Sequence, residues 1–188
     1  LTVVDALPFA GDRRLATGVS RGSTFQPVLS ADSVSVSAPA GASSTVEVTT
    51  AADVCLGTGA TSAWPTDPTC STHPVASEWS AIADYDGDWA DITGLRVTVD
   101  FAGAAGGVLA PGGSVTVRYD TVNQPVTADD AGLAPVEVPV GAEFAWNQIG
   151  VFAQFVSGAP KSAASNYAGV TLQGGPLQVT KTITGDGA

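Results

Sequence analysis

The sequence predicts an all-β protein: an antiparallel β-sandwich, Ig-like or Greek-key in type, with long loops and at most short helical turns. Three observations predict it. Apolar and polar residues alternate with a period of two in several short segments. Gly- and Pro-containing turn sequences separate those segments. Finally, 44% of the residues are hydrophobic and only 13% charged, with much Val, Thr, Ala and Ser. Such a chain is too apolar to stay disordered, and its β-branched residues suit a pleated surface.

The elements follow in order. In Ser33–Ser37, Val34 and Val36 share a face, and in Thr45–Thr49 Val46 and Val48 do. Leu95, Val97, Val99 and Phe101 alternate with Arg96, Thr98 and Asp100, and Val115, Val117 and Tyr119 alternate with Thr116, Arg118 and Asp120. Each reads as a half-buried antiparallel strand. Ala38-Pro-Ala-Gly41 and Ala110-Pro-Gly-Gly113 are turns, because Pro presets φ and Gly accepts a positive φ. The apolar stretch Glu143–Val156 has helical length, but its β-branched and aromatic content and Gly150 favour one long strand with a bulge at Gly150. Short helical turns are expected near Trp79–Ala83. Residues 1–175 form the sandwich, and 176–188 read as a linker or the first strand of a following module.

Charge excludes several functions. The net charge is -11 with seven Lys plus Arg, too few to track a phosphate backbone, so nucleic acid is not a partner. No apolar run approaches the ~20 residues of a membrane-spanning helix, and membrane insertion is not expected. The chain contains no Met and opens without a signal segment, and the expectation is a processed or excised piece of a longer polypeptide.

Several motifs in order resemble a known kind of protein. Val4–Asp12 followed by Arg21–Pro27 looks like the opening of a module of large actinobacterial cell-surface proteins. Trp89–Arg96, Leu109–Val117 and Ala145–Gln148 have counterparts there. Gly169–Leu172 and then Leu177–Gly185 resembles the junction into a collagen-adhesin B-type domain. The likeness is spread over most of the chain. It implies a multidomain adhesin or pilin-like fibre, extracellular and anchored to the cell wall through a segment outside this chain. The partners it implies are neighbouring modules of the same polypeptide, and a host protein or glycan.

Candidate chemistry is sparse. His73 is the only histidine, beside Cys70 and before Pro74, and no Gly-x-Ser-x-Gly elbow is present. The chain therefore reads as a non-catalytic structural or adhesive module, not an enzyme. A ligand-binding head is the alternative, with Trp64, Trp79 and Trp89 as the aromatic contacts. Asp84, Asp86 and Asp88 begin like a calcium loop, but Gly87 precedes the third acid and Leu95 stands where the bidentate Glu belongs. Calcium is the one candidate cofactor, and a solvated acidic turn is the other reading of this loop.

Surface modules of the resembling kind also carry lysine–asparagine isopeptide bonds, which need an amine and an amide buried together beside a carboxyl group. Lys161 lies in a loop-like segment, where an exposed lysine is the other reading, and Asn147 is the most plausibly buried amide, with hydrogen bonding across the core as its other reading. Lys181 falls where B-type domains carry their bond-forming lysine, which implies a partner beyond Ala188. An ordinary strand lysine is the alternative.

Cys55 and Cys70 stand fifteen positions apart, which is not metal or redox spacing. The Gly-, Thr- and Pro-rich segment between them has little other means of ordering itself. A disulfide there would contribute about 3 kcal/mol by restricting the unfolded chain. Reduction is expected to raise the intact mass by about 2 Da. An unchanged mass would remove the bridge.

Overall fold

The computed structural model describes residues 1–15, 19–52, 54, 78–122 and 144–171, and the backbone of 178–184. Two antiparallel sheets account for them. The larger sheet runs β10 (Ala168–Thr171), β8 (Phe144–Ala153), β1 (Thr2–Ala6), β6 (Gly94–Asp100), β4 (Ser43–Thr49), β5 (Ser80–Ala81), with β9 (Lys161–Ala164) also on β8. The smaller runs β11 (Gln178–Thr184), β7 (Thr116–Val122), β2 (Val28–Leu29), with β3 (Ser35–Ser37) also on β7. The helical content among the described residues is short 3-10 turns, such as Ile82–Asp84 and Trp89–Asp91. The all-β sandwich is the fold the alternation predicts.

The alternating strands supply the space between the sheets. Val48, Leu95, Val97 and Val99 from the larger sheet meet Leu29, Val117 and Tyr119 from the smaller, with Leu7 and Ile92 closing one end. Val34, Val36, Val46, Phe101 and Val115 pack around them. Each buried aliphatic side chain contributes about 1.5–3 kcal/mol, so this layer is the main cohesive term.

The outer face of the larger sheet is also covered. Val4 and Ala6 of β1 are buried there with Leu15, Val54 and Trp79. Burial on both faces explains why Thr2-Val-Val-Asp-Ala6 shows no alternation and escapes a period-two reading. β1 is paired along all five residues to β6 on one side and β8 on the other. On the same outer face Arg96 forms a bidentate pair with Glu47, its cross-strand neighbour, at 2.7 and 2.8 Å. Its guanidinium lies 4.4 Å from the Trp79 ring centroid.

Turn chemistry matches expectation at Ala110–Gly113, where Gly113 N–H donates to the Ala110 carbonyl at 2.8 Å and Gly112 has φ +76. This is a type II turn, which needs glycine at its third position. The bulge expected at Gly150 is not there, since β8 pairs with β1 in unbroken register through Gly150. The irregularity is in the neighbouring edge. Three residues, Ser165–Tyr167, stand opposite two, Gln148 and Ile149, between β9 and β10. The Gln148 side chain is the reason. Its Nε2 donates to the Ser165 carbonyl at 2.8 Å while its Oε1 accepts from Leu15 N at 2.9 Å.

The strand expected at the junction with a following module, β11, is hydrogen-bonded to β7 over seven residue pairs, from Gln178↔Val122 to Thr184↔Thr116.

The chain leaving β1 is held by a buried ion pair. Arg21 Nη2 lies 2.9 Å from Asp12 Oδ2, with both side chains at 1% exposure or less. Arg21 also donates to the carbonyls of Ala6 at 2.7 Å and Leu7 at 2.9 Å. Asp12 Oδ2 accepts from Ser23 Oγ at 2.5 Å, and Ser23 Oγ in turn accepts from Trp146 N at 2.9 Å. Removing one partner would leave the other charge buried and uncompensated, which costs about 3–5 kcal/mol. Arg21→Ala is expected to lower the unfolding free energy in urea by about that amount. A loss below about 1 kcal/mol, the range of exposed pairs, would show that the pair is solvated.

Candidate functional site

Alternation places Asp5 on the inner face of β1, where every neighbour in an all-apolar layer would leave its carboxylate stranded. It is 3% exposed. Tyr119, on β7 of the facing sheet, answers it: the phenol donates to Asp5 Oδ2 at 2.7 Å. The same phenolic oxygen accepts from Nδ2 of Asn147 on β8 at 3.1 Å. Asp5 stands opposite Ile149, one inward-facing position along β8 from Asn147. A carboxyl group, a phenol and a carboxamide therefore meet between the two sheets, all of them buried.

Burial is the main cause of the local electrostatics. The Tyr119 phenol is held well above its ordinary pKa by burial first, then by the charge of Asp5 and the hydrogen bond to it; the bond from Asn147 acts the other way. Arg21 is lowered by burial, opposed by Asp12 and then Asp5. Asn147 Oδ1 is buried with no hydrogen-bond donor among the described residues. Such an acceptor costs about 1–3 kcal/mol unless a donor reaches it.

The register of β11 bears directly on this cluster. Lys181 is paired with Tyr119. Residues directly opposite in an antiparallel pair share a sheet face, so Lys181 belongs to the face that carries Tyr119. Val179 and Ile183 occupy the flanking positions on that face, and the threonines occupy the other.

The remaining candidates are dispersed. Lys161 opens β9 opposite Ala153, exposed, with its ammonium 5.9 Å from the Phe155 ring centroid. That is about 20 Å along β8 from Asn147 at strand rise, and the two are not neighbours. Asp88 caps the turn Trp89–Asp91, its Oδ1 accepting from Ala90 N at 2.9 Å. Asp84 ends one turn and Asp86 lies between the two, both exposed. Among the described residues no group of three or more His, Cys, Asp or Glu is arranged to hold a metal.

Trp79 is buried on the outer face of the larger sheet, whereas Trp89 is half-buried against the layer between the sheets, edge-on to Tyr85. The two do not form one platform. Cys55, Cys70, Trp64 and His73 lie outside the described residues.

A different aromatic row was not anticipated. Phe144 and Trp146 lie nearly parallel with centroids 5.6 Å apart, and Tyr167 meets Trp146 edge-on at 5.4 Å. Arg14 donates to the Tyr167 hydroxyl at 3.0 Å. Trp146 leans over Gly169 so closely that a Cβ there would come within 2.3 Å of the indole. Phe144 and Trp146 were legible as an i, i+2 aromatic pair; Tyr167 and Arg14 join them only through tertiary pairing.

Asp5 and Tyr119 are the site residues that the sequence did not single out. The signal for Asp5 was an acid inside the apolar run Val3–Leu7; Tyr119 read as an ordinary core position. Comparison with known proteins returns no match: no family model, curated protein or solved structure is recognisably similar to this chain.

The phenol yields a pH prediction. Unfolded tyrosine ionises near pH 10, below the folded value of Tyr119, so the unfolded state loses its proton first as pH rises. The stabilising contribution is complete below about pH 10 and declines above it. The urea midpoint is expected to fall steeply above about pH 10, and less steeply in Tyr119→Phe. Equal slopes in the two proteins would exclude Tyr119 as the source.

Proposed function

We propose that this chain is a non-catalytic, extracellular structural or adhesive module of a bacterial surface protein, a β-sandwich that spaces or presents binding surfaces and staples itself with an amide between Lys181 and Asn147. The observation that carries this reading is the register of β11, which sets Lys181 on the face of Tyr119, where Asp5 and Asn147 already converge.

The chemistry is balanced without a co-reactant. An amine taken between apolar sheets is favoured in its neutral, nucleophilic form. The lysine ammonium first gives a proton to the Asp5 carboxylate, leaving both groups neutral, and its nitrogen attacks Cγ of Asn147 while the Asp5 carboxyl so formed protonates the developing oxyanion. Asp5 then takes a proton from the attacking nitrogen and returns one to Nδ2, which leaves as ammonia; the re-forming carbonyl gives its proton back to Asp5, and the ammonia carries one away as ammonium. The C–N bond to Nδ2 breaks, the C–Nζ bond forms, and Asp5 ends as it began. The reaction runs once per chain, so it is a maturation step and not an enzymatic turnover.

The mechanical consequence supports the structural reading. β1 is held along its length on both edges. A pull along the strand axis loads those hydrogen bonds together instead of one after another. A covalent tie from β11 to β8 would join the terminal strand of the smaller sheet to the larger one. The row Phe144–Trp146–Tyr167 with Arg14 favours a second reading, in which an adhesin head engages a host protein or glycan through stacking on the outer face.

Intact mass tests the staple. The chain is expected to weigh about 17 Da less than its sequence, one ammonia. Asp5→Ala and Lys181→Arg are each expected to restore the full mass while the chain stays folded by circular dichroism. A wild-type chain of full mass would overturn the staple.

A further inference from the structure

We infer that Arg14 and Tyr167, at the end of the aromatic row Phe144–Trp146–Tyr167, form a binding site for a sugar that carries a carboxylate. The inference rests on the second reading above, an adhesin head that stacks its ligand on the outer face, and names the chemistry of that ligand. It is independent of the staple.

The cation carries the first half of the argument. The chain has a net charge of -11 and only seven Lys plus Arg. Arg21 and Arg96 are each paired with a carboxylate, of Asp12 and Glu47. Arg14 has no carboxylate within ion-pair distance among the described residues. Its guanidinium lies 5.0 Å from the Tyr167 ring centroid, and Nη2 donates to the Tyr167 hydroxyl at 3.0 Å. A guanidinium has five N–H donors. One is given to that hydroxyl, Nε is buried without an acceptor, and the other hydrogens on Nη1 and Nη2 have no acceptor among the described residues. The proton of the Tyr167 hydroxyl has none there either, and Tyr167 is 38% exposed. Unspent donors of two side chains thus meet at an exposed ring. A planar carboxylate takes two such donors at once, and charge assistance makes the bonds stronger than neutral ones.

The backbone sets the cation in place before a ligand arrives. Arg14 N–H donates to the Val19 carbonyl at 2.8 Å, Leu15 N–H donates to Gln148 Oε1 at 2.9 Å, and Arg13 forms an antiparallel bridge with Ser20. Arg14 is thereby anchored to β8, the strand that carries Phe144 and Trp146. Groups ordered in advance lose less freedom on binding. As a contact within the fold alone, a cation over an exposed ring is weak, and the buried Nε opposes it.

The rings decide for a sugar. Beside the cation the surface is aromatic: Tyr167 meets Trp146 edge-on, and the indole lies over Gly169, where a side chain would displace it. A pyranose has an apolar C–H face and a polar rim, so it rests on such rings while its carboxylate reaches the guanidinium. An acidic peptide would bring several negative charges to a strongly acidic chain, whereas a carboxylated sugar at the end of a neutral glycan brings one.

Matched oligosaccharides test the site. The full chain is titrated calorimetrically with lactose, with lactose extended by a terminal sialic acid, and with lactose extended by a terminal glucuronic acid. At least one acidic sugar is expected to bind about ten-fold or more tightly than lactose, and the more weakly the higher the salt. Arg14→Gln is expected to reduce that affinity to the level of lactose. Tyr167→Phe keeps the ring and loses the hydroxyl, and is expected to lose part of the preference; it also serves should Arg14→Gln fail the fold check by circular dichroism. If lactose binds as tightly as its acidic derivatives, or folded Arg14→Gln binds them as wild type does, recognition of the carboxylate is overturned and the stacking head stands. If hexaglutamate competes as well as the acidic sugars, the sugar is overturned and the ligand is an acidic peptide. If none of the three sugars binds, the inference falls together with the glycan-binding head.

Discussion

The buried pair of Asp12 and Arg21 holds the two strands on which the interior depends. Arg21 binds the carbonyls of Ala6 and Leu7, directly after Asp5, and Asp12 binds Ser23, which holds the backbone of β8 at Trp146, directly before Asn147. The ends of β1 and β8 are thereby clamped beside the residues that face Tyr119. Such a pair is not a source of net stability in itself. Desolvating two charges costs several kcal/mol each, and an apolar pair of similar volume can do as well. What it supplies is uniqueness, because a guanidinium that must reach two carbonyls and a carboxylate has few ways of doing so. The opening motif 4–12 and the motif 21–27, separate in sequence, are one structural unit for this reason.

The interior combines two opposed tendencies. The layer between the sheets is apolar enough to cohere through Leu95, Val97, Val99 and Val117, yet at its centre it accepts a carboxyl, a phenol and a carboxamide. Tyr119 makes this tolerable. One hydroxyl donates to Asp5 and accepts from Asn147, so a single group satisfies partners on two different strands of the opposite sheet. The cost that remains is concentrated on Asn147 Oδ1. A buried acceptor without a donor among the described residues is costly in an otherwise apolar layer.

The outer face of the larger sheet shows why the chain resists a simple sandwich description. It is neither free nor uniformly apolar. Over β1 and β6 it is covered by Leu15, Val54 and Trp79, with Arg96 pinned between Glu47 and the indole. Toward β10 it becomes the aromatic row of Phe144, Trp146 and Tyr167.

The sequence by itself determined the fold class, most of the inward-facing positions of β3, β4, β6 and β7, and the type II turn at Ala110–Gly113, because these follow from local rules of period and backbone freedom. It also marked Lys161, Lys181 and Asn147, but it grouped Asn147 with Lys161 and set the partner of Lys181 beyond Ala188. It did not reveal β1, since a strand buried on both faces loses its alternation, nor β2 and β5, which are two residues long and have no period to read. It placed the bulge in the wrong strand, because Gly150 is conspicuous in the chain whereas the reach of Gln148 to Ser165 is visible only across the sheet. Only the tertiary structure decided that Asp5, Tyr119 and Asn147 meet, and that Lys181 is paired with Tyr119. Sheet pairing joins residues more than a hundred positions apart in the chain, and no local pattern encodes which strand will be the neighbour.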